Sequence, residues 1–181
     1  MPAGLTIFVA QYLVYLDGLA ALGLLLFLLF RRSHAEIVRW AVALVLVAVL
    51  AYIFAIIGGA VYTDPRPFTQ DHVKPLIAHA ADNGFPSDHA LLAAVIVAAV
   101  FLASPLWALP FVTLAVLIDW ARVGGGLHHV GDVLGSSAFV LAALVIALVA
   151  APALTRRLLP LIPASWIRED TRSPETIGPF L

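Results

Sequence analysis

The chain has 181 residues, of which 62% are hydrophobic and 12% are charged, and its formal net charge is −1. Soluble domains are about 45–50% apolar and about 25% charged, so the composition excludes an ordinary soluble domain and a disordered chain. It also lacks the basic excess of a nucleic-acid-binding protein, and a chain without cysteine forms neither disulfides nor zinc–thiolate sites. We therefore predict a polytopic membrane protein with no nucleic-acid partner.

Long apolar blocks divide the chain. The blocks at 5–30 and 37–61 both exceed the roughly 20 residues that a membrane-spanning helix needs, and a last block covers 133–151. The segment 62–89, which follows the second block, is polar and proline-rich and predicts a loop with a short helix near 71–82. These blocks alone predict at least three membrane helices.

The uncharged stretch 90–118 is long for one span and short for two. It forms either one kinked helix or two spans that divide at Ser104-Pro105, because proline disfavours helix in the residue before it. Arginines cluster in 31–39 and 156–172, and cytoplasmic segments collect Lys and Arg. Two spans place both clusters on one side. We therefore predict an all-α membrane helix bundle of about five transmembrane helices.

This topology places three chemistry-bearing clusters on the outer face, the most informative being Arg122, His128 and Asp132. His128 and Asp132 are four residues apart, so on a helix they share one face, where the carboxylate can fix the imidazole tautomer. The glycine run after Arg122 lets the backbone turn so that Arg122 approaches His128. An interfacial His–Asp pair that only caps a helix is an equally good interpretation of this cluster alone.

Two further clusters fit an anion site. Pro86 suits a helix entry, and Ser87 or Asp88 suits the N-cap, so free backbone N–H groups would collect beside His89. Arg66 is held between two prolines, and guanidinium groups bind phosphate through paired hydrogen bonds. Taken singly, each cluster has a simpler interpretation. The first would be a plain helix cap with a solvated histidine, and the second a loop arginine beside lipid headgroups.

Together, two arginines, a helix N-terminus, two histidines and a carboxylate on one face predict phosphoryl transfer. Arginines and amides stabilise charge on phosphoryl oxygens, one histidine can attack, and the other can protonate the leaving oxygen. No pair of acidic side chains has the pattern of a two-metal site. We therefore expect no metal and no cofactor.

The motifs resemble those of a known family. Arg66-Pro67, Pro86-Ser87-x-His89 and Arg122-x5-His128-x3-Asp132 resemble the three signature motifs of the type 2 phosphatidic acid phosphatase (PAP2) superfamily. The segments Phe85-Pro86-Ser87-Asp88-His89 and Asp132-Val133-Leu134-Gly135 are similar to its bacterial undecaprenyl-diphosphatase branch. The resemblance implies a PAP2-like core in a single domain, 1–181, with a cytoplasmic tail at 152–181.

The resemblance also implies roles. His128 resembles the nucleophile that forms a phosphohistidine, Asp132 its orienting partner, and His89 the acid that protonates the leaving lipid phosphate. The implied phosphate-binding groups are Arg66, Arg122, Ser87, the backbone near Asp88, and Lys74. Lys74 is included because the lysine that the superfamily carries seven residues before its first arginine is Gly59 here.

The function implied is hydrolysis of the terminal phosphate of undecaprenyl diphosphate at the outer face of the bacterial inner (plasma) membrane. The substrate would be a polyprenyl or glycerolipid phosphate, so phosphatidic acid and phosphatidylglycerol phosphate stay as alternatives. A small transporter is a third interpretation, but it should place ionisable residues at mid-membrane depth, where only Asp17 lies. We expect Asp17 to hydrogen-bond within the bundle. We expect His129 to be structural or to support the catalytic residues indirectly, and the oligomeric state is left open.

Overall fold

The computed structural model describes residues 1–70 and 73–162, and this part of the chain contains six helices and no regular strand. The helices are α1 (Ala3–Leu29), α2 (His34–Val61), α3 (Pro67–Gln70), α4 (Asp88–Ala103), α5 (Pro105–Gly124) and α6 (Val130–Leu158), followed by a 3₁₀ turn at Leu159–Leu161. The predicted all-α helix bundle is confirmed.

Four of these helices (α1, α2, α5 and α6) are long and apolar enough to cross a membrane. α4 is apolar but has only 16 residues. Ser104 separates α4 from α5 with extended backbone angles, φ −163° and ψ 107°, and Pro105 opens α5. Residues 90–118 therefore form two helices, as the proline predicted, whereas the total of about five spans stays a prediction.

α4 lies at the centre of the bundle. One face packs with α1 and α5 in a core that includes Val14, Val100 and Ile118, and another packs with α2 and α6 around Val47 and Ala143. Many large side chains on the outer helices are exposed, which suits a bundle surrounded by lipid. α4 therefore contacts all four of the long helices and fixes their positions relative to one another.

The described members of the two arginine clusters, at 31–39 and at 156–157, lie at the same end of the bundle. Arg32 Nη2 donates to the carbonyl of Ala103 at 3.5 Å, at the end of α4. Arg39 on α2 and Arg156 on α6 line a common cavity. This arrangement agrees with the prediction that dividing 90–118 into two helices brings the clusters together.

Three expectations about the fold are wrong. The short helix lies at Pro67–Gln70 instead of near 71–82; 71 and 72 are outside the described residues, and no helix occurs from 73 to 82. α6 continues through Pro152 to Leu158, so the last helix does not end at 151, because a membrane helix tolerates one lost backbone bond. The cytoplasmic location of the tail stays a prediction. Residues 163–181 lie outside the described part. Asp17 is buried, yet neither carboxylate oxygen has a hydrogen-bond partner among the described residues.

Candidate active site

His128 is the centre of the site and is 2% exposed. Its Nδ1 lies 2.9 Å from the carbonyl oxygen of Gly84 and 3.2 Å from Oδ2 of Asp132, and both of these atoms are acceptors. Nδ1 must therefore carry the hydrogen, which leaves the lone pair of Nε2 unprotonated. Burial, followed by the positive charges of Arg122 and Arg66, lowers the pKa of His128, and the Asp132 carboxylate opposes this shift.

Two buried guanidinium groups meet at that nitrogen. Arg66 Nη1 and Arg122 Nη2 each lie 3.2 Å from Nε2 of His128. Both arginines are at most 5% exposed, so their charges are screened little by water. A group that binds Nε2 would enter the reach of both cations.

Arg66 is fixed by one contact from its own loop and one from the loop before α6. Its Nε donates to Oδ1 of Asp82 at 2.6 Å, and its Nη1 also donates to the carbonyl of Leu127 at 3.0 Å. The hydrogen bond from Arg66 lowers the pKa of the Asp82 carboxyl, which therefore stays ionised. These contacts orient the guanidinium toward His128.

Arg122 lies in the last turn of α5 and is held by α1. Its Nη1 donates to the carbonyl of Ala10 at 3.2 Å. Ala10 lies in a π-helical turn, Val9–Leu13, and such turns shift backbone carbonyls out of the regular ladder. The glycine run then reverses the chain through Gly126, whose φ of +70° favours glycine, so that the imidazole of His128 returns to Arg122.

Asp132 and Ser136 tie the start of α4 to the start of α6. Oδ2 of Asp132 accepts both from His128 and from the backbone N–H of His129, at 2.9 Å. The Ser136 hydroxyl donates to the carbonyl of Ser87 at 2.9 Å, and the Ser87 amide lies 3.4 Å from the Asp132 carbonyl. Ser87 caps α4 as predicted, with its hydroxyl accepting from the amide of Ala90.

The other two α4 residues of the predicted site are less buried than His128. His89 is half-buried, contacts the Tyr15 ring edge-on with centroids 6.3 Å apart, and is close enough to Arg122 and His128 to interact electrostatically. Asp88 is exposed in the first turn of α4. The role of His89 toward a ligand at Nε2 of His128 therefore remains a prediction.

Lys74 is not brought into the cluster. Its side chain is exposed and makes no hydrogen bond or ion pair with any residue in the described ranges. At Gly59, where the superfamily carries lysine, a Cβ would lie 3.2 Å from the carbonyl oxygen of Phe85. The loop before α4 packs directly on α2 at this point, and Asn83 Nδ2 donates to the Gly59 carbonyl at 3.1 Å. Lys74 as a substitute for that lysine remains a prediction.

The roles of several residues at the site were not predicted from the sequence. Asp64 Oδ2 lies 3.1 Å from Nδ1 of His129, so this contact joins the loop after α2 to the start of α6. Asp82 orients Arg66. The side-chain Oδ1 of Asn83 accepts from the backbone N–H of Asp64 at 2.9 Å, and the backbone of Asn83 pairs with Pro65 in an isolated β-bridge. The only sequence signal was the density of polar residues in 62–89, which does not specify partners.

One set of side chains could hold a metal ion. Asp64, His129 and Asp132 each offer a ligand atom, and these atoms lie within 4.8 Å of one another. Two carboxylates and an imidazole suit a divalent cation. However, Asp132 Oδ2 already accepts from His128, so a metal there would compete with the bond that fixes the histidine tautomer. Metal-independence therefore stays a prediction that needs a direct test.

The Phe85 ring positions the start of α4. It stands between two glycines: a Cβ at Gly58 would lie 3.2 Å from its Cε1 atom, and a Cβ at Gly135 2.8 Å from its Cζ atom. The rings of Tyr62 and Phe139 contact it edge-on, with centroids 5.0 and 5.8 Å away. The ring therefore cannot move aside to accept a larger neighbour.

We expect Gly135→Ala to lower the free energy of unfolding by about 1–3 kcal/mol, because the new methyl overlaps the confined Phe85 ring. Gly131→Ala is the matched control on the same helix, since a Cβ there meets nothing within 4 Å. Thermal unfolding of the purified proteins in detergent measures both. Equal stabilities of the two variants would contradict the confinement of Phe85.

The fold and the site define a helical membrane protein with a buried histidine–arginine centre at one end of the bundle. The chain belongs to the PAP2 superfamily, whose family model matches residues 40–157. With its long apolar helices, it is a multi-pass membrane protein.

Three relatives are similar to the chain over different lengths. Undecaprenyl-diphosphatase BcrC of Bacillus subtilis is 42% identical over 76 residues, which are 42% of this chain and 39% of the relative. Bacitracin transport permease protein BcrC of Bacillus licheniformis is 33% identical over 70% of this chain and 60% of its own. Putative undecaprenyl-diphosphatase YbjG of Escherichia coli is 31% identical over 72% and 64%, respectively.

The matches therefore span from 39% to 64% of the relatives' lengths. No solved structure matches the chain.

Proposed function

We propose that the chain is a lipid phosphatase that hydrolyses the terminal phosphate of undecaprenyl diphosphate through a phosphohistidine at His128. The observation that carries the proposal is the convergence of two buried guanidinium groups, from Arg66 and Arg122, on the unprotonated Nε2 of His128. A lone pair beside two cations suits attack on a phosphoryl group, whose oxygens the cations would bind.

In the first step, Nε2 of His128 attacks the terminal phosphorus, and the bond from phosphorus to the bridging oxygen breaks. Arg66, Arg122 and the backbone N–H groups at the start of α4 would neutralise charge on the three phosphoryl oxygens. His89 would donate a proton to the bridging oxygen, so that undecaprenyl phosphate leaves. Asp132 holds the hydrogen on Nδ1 and stabilises the positive charge that develops on the imidazole.

In the second step, water attacks the phosphorus of the phosphohistidine. His89, now neutral, would take a proton from that water. The N–P bond breaks, its electron pair returns to Nε2, and inorganic phosphate is released. The roles of Ser87, which caps α4, and of the backbone near Asp88 are to present the helix N-terminus to the phosphate.

The substrate class follows from the surroundings of the site and from the relatives. Exposed apolar side chains cover the helices, so a lipid headgroup could enter laterally while its tail stays in the bilayer. Two of the three relatives carry undecaprenyl-diphosphatase in their names. Phosphatidic acid and phosphatidylglycerol phosphate offer the same terminal phosphate and are the alternatives.

The test is phosphate release by the purified protein from undecaprenyl diphosphate, phosphatidic acid and phosphatidylglycerol phosphate, each with and without EDTA. We expect kcat/KM to be about tenfold or more higher for the diphosphate and to be unchanged by EDTA. A higher value for a glycerolipid phosphate would reassign the substrate. Loss of activity in EDTA, with recovery in magnesium, would instead favour a metal at the Asp64, His129 and Asp132 set.

Transport is the second candidate, since one relative is named a bacitracin transport permease protein. Against it, the buried charged groups that contact His128, namely Arg66, Arg122 and Asp132, lie at helix ends and in loops rather than at mid-membrane depth. Uptake of bacitracin by vesicles containing the purified protein, without any phosphate release, would favour transport.

The pH dependence of kcat/KM tests the assignment of His128. The protonated imidazole cannot attack, so activity falls as the pH drops through the pKa of His128 in the free enzyme. Because burial and two arginines lower that pKa below 6.5, we expect the midpoint of the acid limb below pH 6.5. A profile from about pH 5 to 9 measures it, and an acid midpoint above 6.5 would contradict the environment described for His128.

We further propose that residues 1–181 form one domain in the bacterial inner membrane, with the active site on the outer face and the arginine clusters in the cytoplasm. The positive-inside bias supports this orientation. Single cysteines at Ala81 and Pro160, both exposed at opposite ends of the bundle, report it directly. A membrane-impermeant thiol reagent applied to intact cells should label position 81 and spare 160, and the reverse pattern would invert the topology.

A further inference from the structure

A cavity of about 370 Å³ lies at the end of the bundle far from His128. α6 begins beside His128 and reaches the cavity at Thr155, so roughly 40 Å separate the two at 1.5 Å per residue. None of the residues proposed for phosphoryl transfer lines it. The walls come from α2, α4 and α6 and are mainly apolar, with Trp40, Ala43, Leu102, Ala147, Leu148 and Ala151.

The cavity is lined by polar groups that lack their usual hydrogen-bond partners. Thr155 is 2% exposed, and its hydroxyl has no hydrogen-bond partner in the described ranges. Pro152 has no N–H, so it cannot donate the usual helical bond to the carbonyl of Leu148. Since unpaired buried polar groups cost free energy, a ligand that offers an acceptor to Thr155 would be favoured here.

Two arginines stand at the mouth. Arg39 comes from α2 and is half-buried, and Arg156 comes from α6 and is exposed. The Nε of Arg39 donates to the carbonyl of Ala35 at 3.4 Å, and neither arginine forms an ion pair with a described residue. The mouth therefore presents two positive charges above an apolar interior.

We propose that this cavity binds one anionic phospholipid of the surrounding bilayer. The lipid phosphate would lie between Arg39 and Arg156, where guanidinium groups can each donate two hydrogen bonds to it. An acyl chain would fill the apolar interior, and an ester oxygen would accept from the Thr155 hydroxyl. The proposal is independent of the proposed catalytic function, because it involves the opposite end of the bundle.

Charge and shape together favour this occupant. Inorganic phosphate would satisfy the two arginines but leave the apolar interior empty, whereas a zwitterionic lipid would bring a second positive charge to the mouth. Basic groups at the ends of membrane helices attract anionic lipids by roughly 1 kcal/mol per charge. A volume of about 370 Å³ is within the usual range of ligand pockets.

The experiment measures binding to the full chain in neutral detergent, with short-chain phosphatidylglycerol, phosphatidylcholine of the same chain length, and inorganic phosphate as probes. We expect saturable binding of phosphatidylglycerol that raises the unfolding temperature. Both other probes should bind at least about tenfold more weakly. Phosphatidylglycerol is a phosphodiester, so it is not consumed by release of a terminal phosphate.

Three variants locate the site. The first variant combines Arg39→Gln with Arg156→Gln and removes both charges at the mouth. The second, Ala151→Leu, fills the interior but keeps both charges. Each should weaken phosphatidylglycerol binding at least about tenfold. Arg157→Gln is the matched control, because it removes one charge from the same turn and does not line the cavity. Unfolding temperatures without lipid verify that each variant is folded.

Four outcomes would overturn the proposal. Equal binding by the double arginine variant would place the lipid elsewhere, and equal binding of phosphatidylcholine would remove the role of charge. Inorganic phosphate that binds as tightly as the lipid would make the site one for the free anion. Binding that occurs only after deletion of residues 163–181 would indicate that the chain's own C-terminal segment occupies the cavity.

Discussion

Replacing His128 by alanine is expected to reduce phosphate release by at least about 10³-fold while the protein stays folded. Nε2 of His128 is the nitrogen on which both guanidinium groups converge, and Nδ1 is held by Gly84 and Asp132. No other described histidine has this combination of a fixed tautomer and two cations at the opposite ring nitrogen. The loss should therefore appear in kcat rather than in KM.

The measurement is the steady-state rate of phosphate release, with the unfolding temperature as a check on the fold. His79→Ala is the matched control, since His79 is exposed and its one hydrogen bond with a described residue is to the neighbouring backbone carbonyl of Ala80. Imidazole added to the His128→Ala protein should restore part of the rate, because the small base can enter the space left by the side chain. A folded His128→Ala protein with near-normal turnover would remove His128 from the role of nucleophile.

The local parts of the site could be predicted from the sequence because they depend on short-range geometry. The spacing of four residues brings His128 to Asp132, and the residue types at 86 and 87 predict a helix start. Ser104-Pro105 predicts the break between two helices, which in turn brings Arg39 and Arg156 to the same end. Each of these inferences needs only the rules of one helix or one turn.

The rest depends on contacts between distant segments, which a single sequence does not encode in a readable pattern. The hydrogen bond from Arg122 to Ala10 joins residues 112 apart in the chain, and Ala10 lies in a π-helical turn that no composition rule predicts. The pairing of Arg66 with Asp82 likewise depends on how the loop folds over itself. Asp17 is a case in which a general rule gave the wrong prediction. Buried polar groups are usually hydrogen-bonded, but the Asp17 carboxylate is buried without a partner among the described residues.

The contact with Ala10 leads to the second large effect. Arg122→Lys is expected to lower kcat by about 10²–10³-fold, the usual cost of removing one donor to a developing oxyanion. Arginine reaches the Ala10 carbonyl with Nη1 and the nucleophile with Nη2, at 3.2 Å each. The single ammonium of lysine cannot hold both positions, so one end of the link between α1 and His128 is lost although the charge is kept.

The distinction between charge and geometry decides how the result is interpreted. Arg157→Lys, an exposed substitution at the other end of the bundle, is the control for the chemical change itself and should leave kcat unchanged. If Arg122 acted only as a positive charge that attracts the substrate, lysine would preserve kcat and at most raise KM. Steady-state kinetics with the lipid diphosphate separates the two, and a full kcat in the Arg122→Lys protein would rule out a positioned guanidinium as the source of transition-state stabilisation.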